Sequence, residues 1–210
     1  IEAPSYIMFN VFDQIQGRLL HPSEGIRLRL RHILIQLILD YPQQAMWMLM
    51  RSIHSRNKQR KNFLEEILKK AKNRLSYGKP ESGKVEIKFI DDILMVAKEL
   101  NDLCIRGVKG VQIVSLQKIA PNLHKLVNQQ DNLSKILVPF QAFTNLTMPT
   151  AGCSAKEHNP FGDEKKFVYF RKIDDKVEVL SSLQRPKKIT VKGTDGKQYI
   201  ILCKANDDLR

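Results

Sequence analysis

Apolar residues recur every three or four positions over about the first 140 residues of this chain, the spacing of helices with one buried face. The pattern begins with Phe9, Phe12 and Ile15, shortly after Pro4-Ser5, which suits a helix start. It predicts helices over 9–19, 26–39, 43–50, 57–75, 85–103 and 111–127, the last kinked or split by Pro121. Loops are predicted at 21–25 and 77–84, where glycine and proline interrupt the pattern. Short helices with brief connections favour an α-helical hairpin or solenoid array, although no fixed-period repeat is visible.

The pattern changes near residue 145. β-branched and aromatic residues then dominate four short runs, which predict strands at 167–170, 177–180, 189–191 and 199–202. The Asp195-Gly196 pair between the last two runs is a strong signal for an antiparallel hairpin. The expected fold class is therefore α+β, a helical array followed by antiparallel strands.

Three ranges follow from this change of pattern. Residues 1–143 are expected to form the helical region, 144–166 a linker or flexible loop with several prolines and glycines, and 167–210 a β-rich region. The chain opens with Ile1 rather than Met, and its strands run almost to Arg210. A lone hairpin is only marginally stable, so we expect the chain to be part of a longer polypeptide.

The formal net charge is +13, and ten Lys or Arg fall between Arg51 and Lys79 against the acids Glu65 and Glu66. Such a run could bind nucleic acid or acidic lipid if the charges share one face. The alternative is a solvated helix face, which the apolar Phe63 and Ile67 inside the run favour.

The cysteines and histidines show no metal-binding or redox spacing. Cys104, Cys153 and Cys203 are far apart and odd in number, which favours a reducing compartment. The five histidines are dispersed, and no apolar run reaches the roughly 20 residues that span a bilayer.

Two features could carry phosphate chemistry. The loop from Ser181 to Lys188 precedes a strand and has hydroxyl groups and cations, yet it lacks the glycines usual in phosphate-covering loops. Lys204 ends an apolar strand, from which a point charge could reach ATP phosphates. The alternatives are an ordinary polar loop and a surface lysine at the end of an edge strand.

Four segments carry a family resemblance. Residues 183–210 resemble the first kinase-domain hairpin of the phosphatidylinositol-3-kinase-related protein kinases, and most of all the ATR-type serine/threonine kinases. Three further segments resemble ATR-type sequences in the same order: 1–12, 41–48 and 136–141. The similarity is high over 1–50 and 176–210, and weak over 77–135 and 144–170.

The resemblance implies that the helices are the end of a FAT solenoid and that the strands begin a kinase small lobe. It implies that ATP and Mg²⁺ are the cofactors, and that Lys204 contacts ATP, with Asp207 and Asp208 near the nucleotide pocket. The implied phosphate-covering loop includes Ser181, Ser182, Leu183, Gln184, Arg185, Pro186 and Lys187. No catalytic residue is expected within the chain, because the family's catalytic loop and metal ligands should lie beyond Arg210.

The implied activity is transfer of the ATP γ-phosphoryl group to Ser or Thr followed by Gln. It implies DNA damage and replication stress signalling in the nucleus, with ATR-interacting protein as partner and indirect association with damaged DNA. A large complex with two copies and no membrane association is expected. Two alternatives stay open: another kinase of the same family, and a non-catalytic helical scaffold that binds protein, or nucleic acid through residues 51–79.

Overall fold

The computed structural model describes residues 4–78, 80–108, 110–129, 133–142, 146–150 and 158–204. It divides into two compact units, which are described separately. Unit 1 comprises Ile1–Ile90 and Pro139–Phe167, and unit 2 comprises Asp91–Val138 and Val168–Arg210. The units differ in extent from the domain ranges expected from the sequence, and those ranges stay a prediction.

The described helices follow the predicted order along the chain. Two short 3₁₀ helices cover Ser5–Val11 and Glu164–Lys166. The α-helices are α1 (Phe12–Gly17), α2 (Glu24–Asp40), α3 (Pro42–Ile53), α4 (Lys58–Gly78), α5 (Pro80–Ile105), α6 (Leu116–Ile119), α7 (Pro121–Asn128) and α8 (Pro139–Ala142). The five strands are β1 (Ile113–Ser115), β2 (Phe170–Ile173), β3 (Lys176–Val179), β4 (Lys187–Gly193) and β5 (Gln198–Cys203).

The core of unit 1 is formed by the apolar faces of its helices. Helix α3 begins with Pro42. Proline suits the first turn because an N–H at that position would have no partner within the helix. Helix α2 contacts both α3 and α4. The predicted apolar face of α4 is confirmed, because its members are all buried: Phe63, Leu64, Ile67, Leu68, Ala71 and Leu75.

Two buried polar side chains of unit 1, Gln16 and Ser52, are hydrogen-bonded to each other. The Ser52 hydroxyl donates to Oε1 of Gln16, and Nε2 of Gln16 donates to the Met48 carbonyl at 3.1 Å. Both side chains are buried, and burial without partners would cost free energy. These bonds fix α1 against α3.

Two predictions for the helices were wrong in part. The expected loop over 77–84 is largely helical, because α4 continues to Gly78 and α5 begins at Pro80, a residue favoured in a first helical turn. The expected helix over 111–127 begins instead as strand β1, since pairing with β3 overrides the helical spacing there. The split at Pro121 is confirmed, with α6 ending at Ile119 and α7 beginning at Pro121.

Unit 2 contains an antiparallel five-stranded sheet centred on β4. Strand β5 pairs along one side of β4, from Lys187 opposite Cys203 to Lys192 opposite Gln198. Strands β2 and β3 follow one another along the other side, and β1 pairs with β3. This arrangement confirms the α+β fold class.

The first predicted strand is displaced along the chain. Its ladder with β4 begins at Phe170, although the prediction covered 167–170. Residues 168–170 pair instead with 136–138: the Val138 N–H donates to the Val168 carbonyl and the Phe170 N–H to the Ile136 carbonyl. The start of the β2–β4 ladder is therefore set by pairing with a segment distant in sequence, which the local pattern does not reveal.

The β4–β5 turn has the predicted chemistry. Gly196 has a positive φ of 79°, and its N–H donates to the Gly193 carbonyl at 3.0 Å. The Lys197 N–H donates to a carboxylate oxygen of Asp195. Glycine adopts this φ without the steric cost that other residues meet, so the hairpin prediction is confirmed.

Asp175, in the turn between β2 and β3, holds the first turn of α6. Its Oδ1 accepts from the Gln117 N–H at 2.8 Å and from the Ser115 hydroxyl at 2.9 Å. The Leu116 N–H donates to the Asp175 carbonyl. Asp175 therefore satisfies amide groups at a helix start from a distant segment, which is the function of an N-cap residue.

We expect Asp175→Ala to raise hydrogen exchange at the Gln117 amide about fivefold, the equivalent of one capping interaction. Bonds from Gln117 and Ser115 lower the pKa of Asp175. Protection is therefore complete above the unfolded pKa of about 3.9 and is lost as pH falls through the lower folded value. Amide exchange measured on both sides of that range checks the prediction. Asp174→Ala, whose carboxylate pairs with Lys192, is the matched control.

Candidate functional site

The β4–β5 register brings the predicted loop and the predicted lysine to the same end of the sheet. Lys187 is the first residue of β4 and lies opposite Cys203, the last of β5. Lys204 follows Cys203 directly, and Pro186 precedes Lys187. Lys204 and the end of the loop therefore lie at the same end of the β4–β5 pair. The structure thus brings together the two features that the sequence singled out.

Lys204 continues the exposed side of β5. Along the strand, Ile200 and Leu202 are 66% and 53% exposed, whereas Cys203 is 4% exposed. Side chains alternate between the faces of a strand, and Lys204 is exposed, as this alternation requires. Two apolar side chains and one ammonium group therefore share a face.

The loop between β3 and β4 closes on a tight turn. The Leu180 N–H donates to the Pro186 carbonyl at 3.0 Å, and the Arg185 N–H donates to the Ser182 carbonyl at 2.9 Å. The residues between these bonds are exposed: Ser181, Ser182, Leu183 and Gln184. The loop therefore presents hydroxyl groups and backbone amides to solvent.

Arg185 and Pro186 form the base of this loop. Arg185 has a positive φ of 44°, uncommon for a residue with a side chain. Its Nη2 donates to the Val111 carbonyl at 2.9 Å, and Pro186 is buried. Arg185 thus anchors the loop to the segment before β1.

The next two lysines point to opposite faces of the sheet. Lys187 is 3% exposed, and its Nζ donates to the Cys104 carbonyl at 2.8 Å. Burial lowers the pKa of Lys187. Lys188 bonds Glu178 at 3.0 Å, and bonds from Lys188 and Lys176 lower the pKa of Glu178.

The burial of Lys187 was not predicted from the sequence, although the alternation of residues along β4 indicates it. Lys187, Ile189 and Val191 alternate along β4, which places the lysine on the apolar face. Asp207 and Asp208 lie outside the described residues. The nucleotide roles assigned to the loop, Lys204 and Asp208 stay predictions.

Two features are absent from the described parts of the chain. They contain no cluster of three or more His, Cys, Asp or Glu side chains placed to hold a metal ion. Among the helices of those same parts, none is long and apolar enough to cross a membrane.

Comparison with known sequences finds similarity to one group of protein kinases. A family model described as serine/threonine-protein kinase ATR-like, HEAT repeats, matches residues 1–90. Protein kinase rad3 of Schizosaccharomyces pombe is 29% identical over 212 residues, covering 100% of this chain and 8% of that protein. Serine/threonine-protein kinase ATR of Drosophila melanogaster is 29% identical over 216 residues, covering 99% of this chain and 8% of its own length.

Solved structures share the fold at lower identity. The open conformation of CtTel1 superposes with a TM-score of 0.70 and 19% identity, covering 99% of this chain and 7% of that one. The FAT and kinase domain of CtTel1 gives 0.64 and 16%, covering 95% of this chain and 13% of that one. These matches confirm the predicted fold, helical repeats followed by the first strands of a kinase small lobe.

The solved structures define the fold alone, a helical-repeat region followed by antiparallel strands. The sequence is similar to ATR-type serine/threonine-protein kinases, over residues 1–90 for the family model and over nearly the whole chain for the relatives. It spans about 8% of the length of these relatives.

Proposed function

We propose that this chain supplies part of the ATP-binding small lobe of an ATR-type protein kinase. The whole protein would transfer the γ-phosphoryl group of Mg-ATP to Ser or Thr followed by Gln, in the nuclear response to DNA damage and replication stress. Its proposed partners are ATR-interacting protein and, indirectly, damaged DNA, within a large complex that contains two copies. The similarity to ATR-type kinases supports this proposal.

The observation that carries it is the position of Lys204 beside the base of the Ser181–Pro186 loop, fixed by the Lys187–Cys203 pairing. Phosphate groups are bound by backbone N–H groups and cations placed together. The exposed turn at Ser182–Gln184 has such amides, and Lys204 has the charge. The exposed Ile200 and Leu202 side chains offer apolar surface for a nucleotide base.

The loop residues would have two roles, contact with the phosphates and positioning of the loop. Ser181, Ser182, Leu183 and Gln184 are exposed and suit direct contact with phosphates. Arg185 and Lys187 already donate to the Val111 and Cys104 carbonyls, and would act by fixing the loop. Bound ATP supplies the phosphoryl group. The Mg²⁺ ligands would come from residues outside this chain, as the family resemblance implies.

A lysine-reactive acyl phosphate of ATP tests this placement. The probe acylates lysines that lie beside the bound phosphates, and the acylated lysine resists trypsin. We expect the native protein to yield a labelled peptide from Gln198 to Arg210, with an uncut Lys204. Excess Mg-ATP should remove this label.

Lysines elsewhere in the sheet are internal controls. Lys172 is exposed in β2, and any label there should be insensitive to Mg-ATP. Buried Lys187 should stay unlabelled. ATP-sensitive labelling at Lys188 with none at Lys204 would overturn the proposed phosphate contact.

A further inference from the structure

Beneath the candidate site, unit 2 encloses a pair of thiols. Cys203, the last residue of β5, is 4% exposed and donates a hydrogen bond from its thiol to the thiol of Cys104. Cys104 lies near the end of α5 and is half-buried. Both are free thiols, and they share the neighbour Lys187 although the residues lie far apart in the sequence.

A buried cation completes this cluster. Lys187 lies opposite Cys203 in the β4–β5 ladder, and its Nζ donates to the carbonyl of Cys104 at 2.8 Å. Lys187 is therefore bonded to one cysteine residue and paired through the backbone with the other. The buried Lys187 side chain therefore lies close to both cysteines.

We propose that Cys104 and Cys203 form a reversible disulfide when the protein meets a peroxide, linking the end of α5 to the end of β5. This modification site goes beyond the proposed ATP site and does not depend on it. Neither nucleotide binding nor phosphoryl transfer is needed for the bond to form.

The two thiols would have different roles. The hydrogen bond from Cys203 and the charge of Lys187 lower the pKa of Cys104, whereas the same hydrogen bond and burial raise the pKa of Cys203. Cys104 is also the more exposed of the two. A thiolate is the reactive form, so Cys104 is the sulfur that a peroxide would oxidise.

The chemistry balances with hydrogen peroxide as the oxidant. The Cys104 thiolate attacks one peroxide oxygen, the O–O bond breaks, and the departing hydroxide leaves as water after taking a proton. This step leaves a sulfenic acid on Cys104. The Cys203 sulfur then attacks the Cys104 sulfur, the S–O bond breaks, and a second water leaves with the Cys203 proton. Two thiols are oxidised and one peroxide is reduced to two waters.

Peptide mapping of the native protein tests the bond. After exposure to hydrogen peroxide, free thiols are blocked with N-ethylmaleimide and the protein is cut with trypsin without reduction. We expect peptides 99–106 and 198–204 to appear joined, two hydrogen atoms lighter than their sum. Dithiothreitol should release both peptides with free thiols.

Three variants distinguish a bond between Cys104 and Cys203 from general oxidation of the protein. Cys153→Ser removes the third cysteine and should leave the linked peptides unchanged. Lys187→Met, close in volume, should slow formation of the bond severalfold near neutral pH. Lys192→Met, at the far end of β4, should not. Circular dichroism checks that each variant is folded.

Recovery of both peptides as separate maleimide adducts after peroxide, in folded protein, would overturn the proposal. So would a bond from Cys104 to Cys153 in its place. Loss of the ATP-sensitive label at Lys204 would not affect it, so this inference and the proposed function can fail separately.

Discussion

Lys204→Met should lower protein kinase activity of the full-length protein by at least about a hundredfold, the usual cost of removing one preorganised charge-stabilising group. Methionine keeps the length of the side chain and removes the ammonium group. Because Lys204 is exposed, its replacement should leave the core of unit 2 intact. Phosphorylation of a Ser-Gln peptide by matched amounts of purified protein measures the effect.

Lys172→Met is the matched control for this prediction. Lys172 is also an exposed lysine of the sheet, but its β4 partner is Lys192, far from the loop end. We expect it to retain activity and to be expressed at the same level. Undiminished activity in Lys204→Met would refute the phosphate role of this lysine, whereas equal losses in both variants would point to a general effect of charge.

The strands near the candidate site could be predicted because their signals are local. The alternation in β4 and β5 and the Asp195-Gly196 turn fix a hairpin without help from distant segments. The placement of Lys204 follows from that hairpin, since the turn sets the register. For this reason, the local sequence pattern is enough to place Lys204 at the same end of the hairpin as the loop that precedes β4.

The missed features depend on contacts between distant segments. Strand β1 forms because Ile113–Ser115 meets β3, and the local apolar spacing alone favours a helix. The thiol contact joins Cys104 to Cys203, and the bond from Arg185 reaches Val111. Nothing in the spacing of these residues indicates that they are neighbours.

The basic segment between Arg51 and Lys79 could be a binding surface or the solvated face of a packed helix, and the fold favours the packed helix. Its apolar residues are buried along α4, as expected for a helix with one solvated face. Glu66 of this helix pairs with Arg31 at 2.9 Å, and the Arg31 guanidinium lies 4.9 Å from the centre of the Phe63 ring. These contacts are those of a packed helix. Binding of nucleic acid by this segment stays a hypothesis, and a steep fall of DNA affinity with salt would support it.

Gly193→Ala should destabilise the β4–β5 hairpin by about 1–3 kcal/mol, the usual cost of overpacking. A Cβ at Gly193 would lie 2.4 Å from Cγ1 of Val168, 2.7 Å from Oδ1 of Asp195 and 2.8 Å from Cε2 of Tyr199. Asp195 and Tyr199 are bonded to each other at 2.8 Å, so their side chains cannot move apart without losing that bond. Hydrogen exchange of the β4 and β5 amides measures the change, with amides of α3 in unit 1 as the unaffected reference.

A second substitution identifies which contact is responsible. Val168→Ala removes the nearest clashing atom, so the double variant Gly193→Ala with Val168→Ala should be more stable than the sum of the two single effects predicts. Gly17→Ala is the control for adding a methyl group, because no atom lies within 4 Å of its Cβ position. If the two effects were simply additive, the clash with Val168 would not be the cause. If Gly193→Ala exchanged as slowly as the parent, the hairpin would have more room than its contacts indicate.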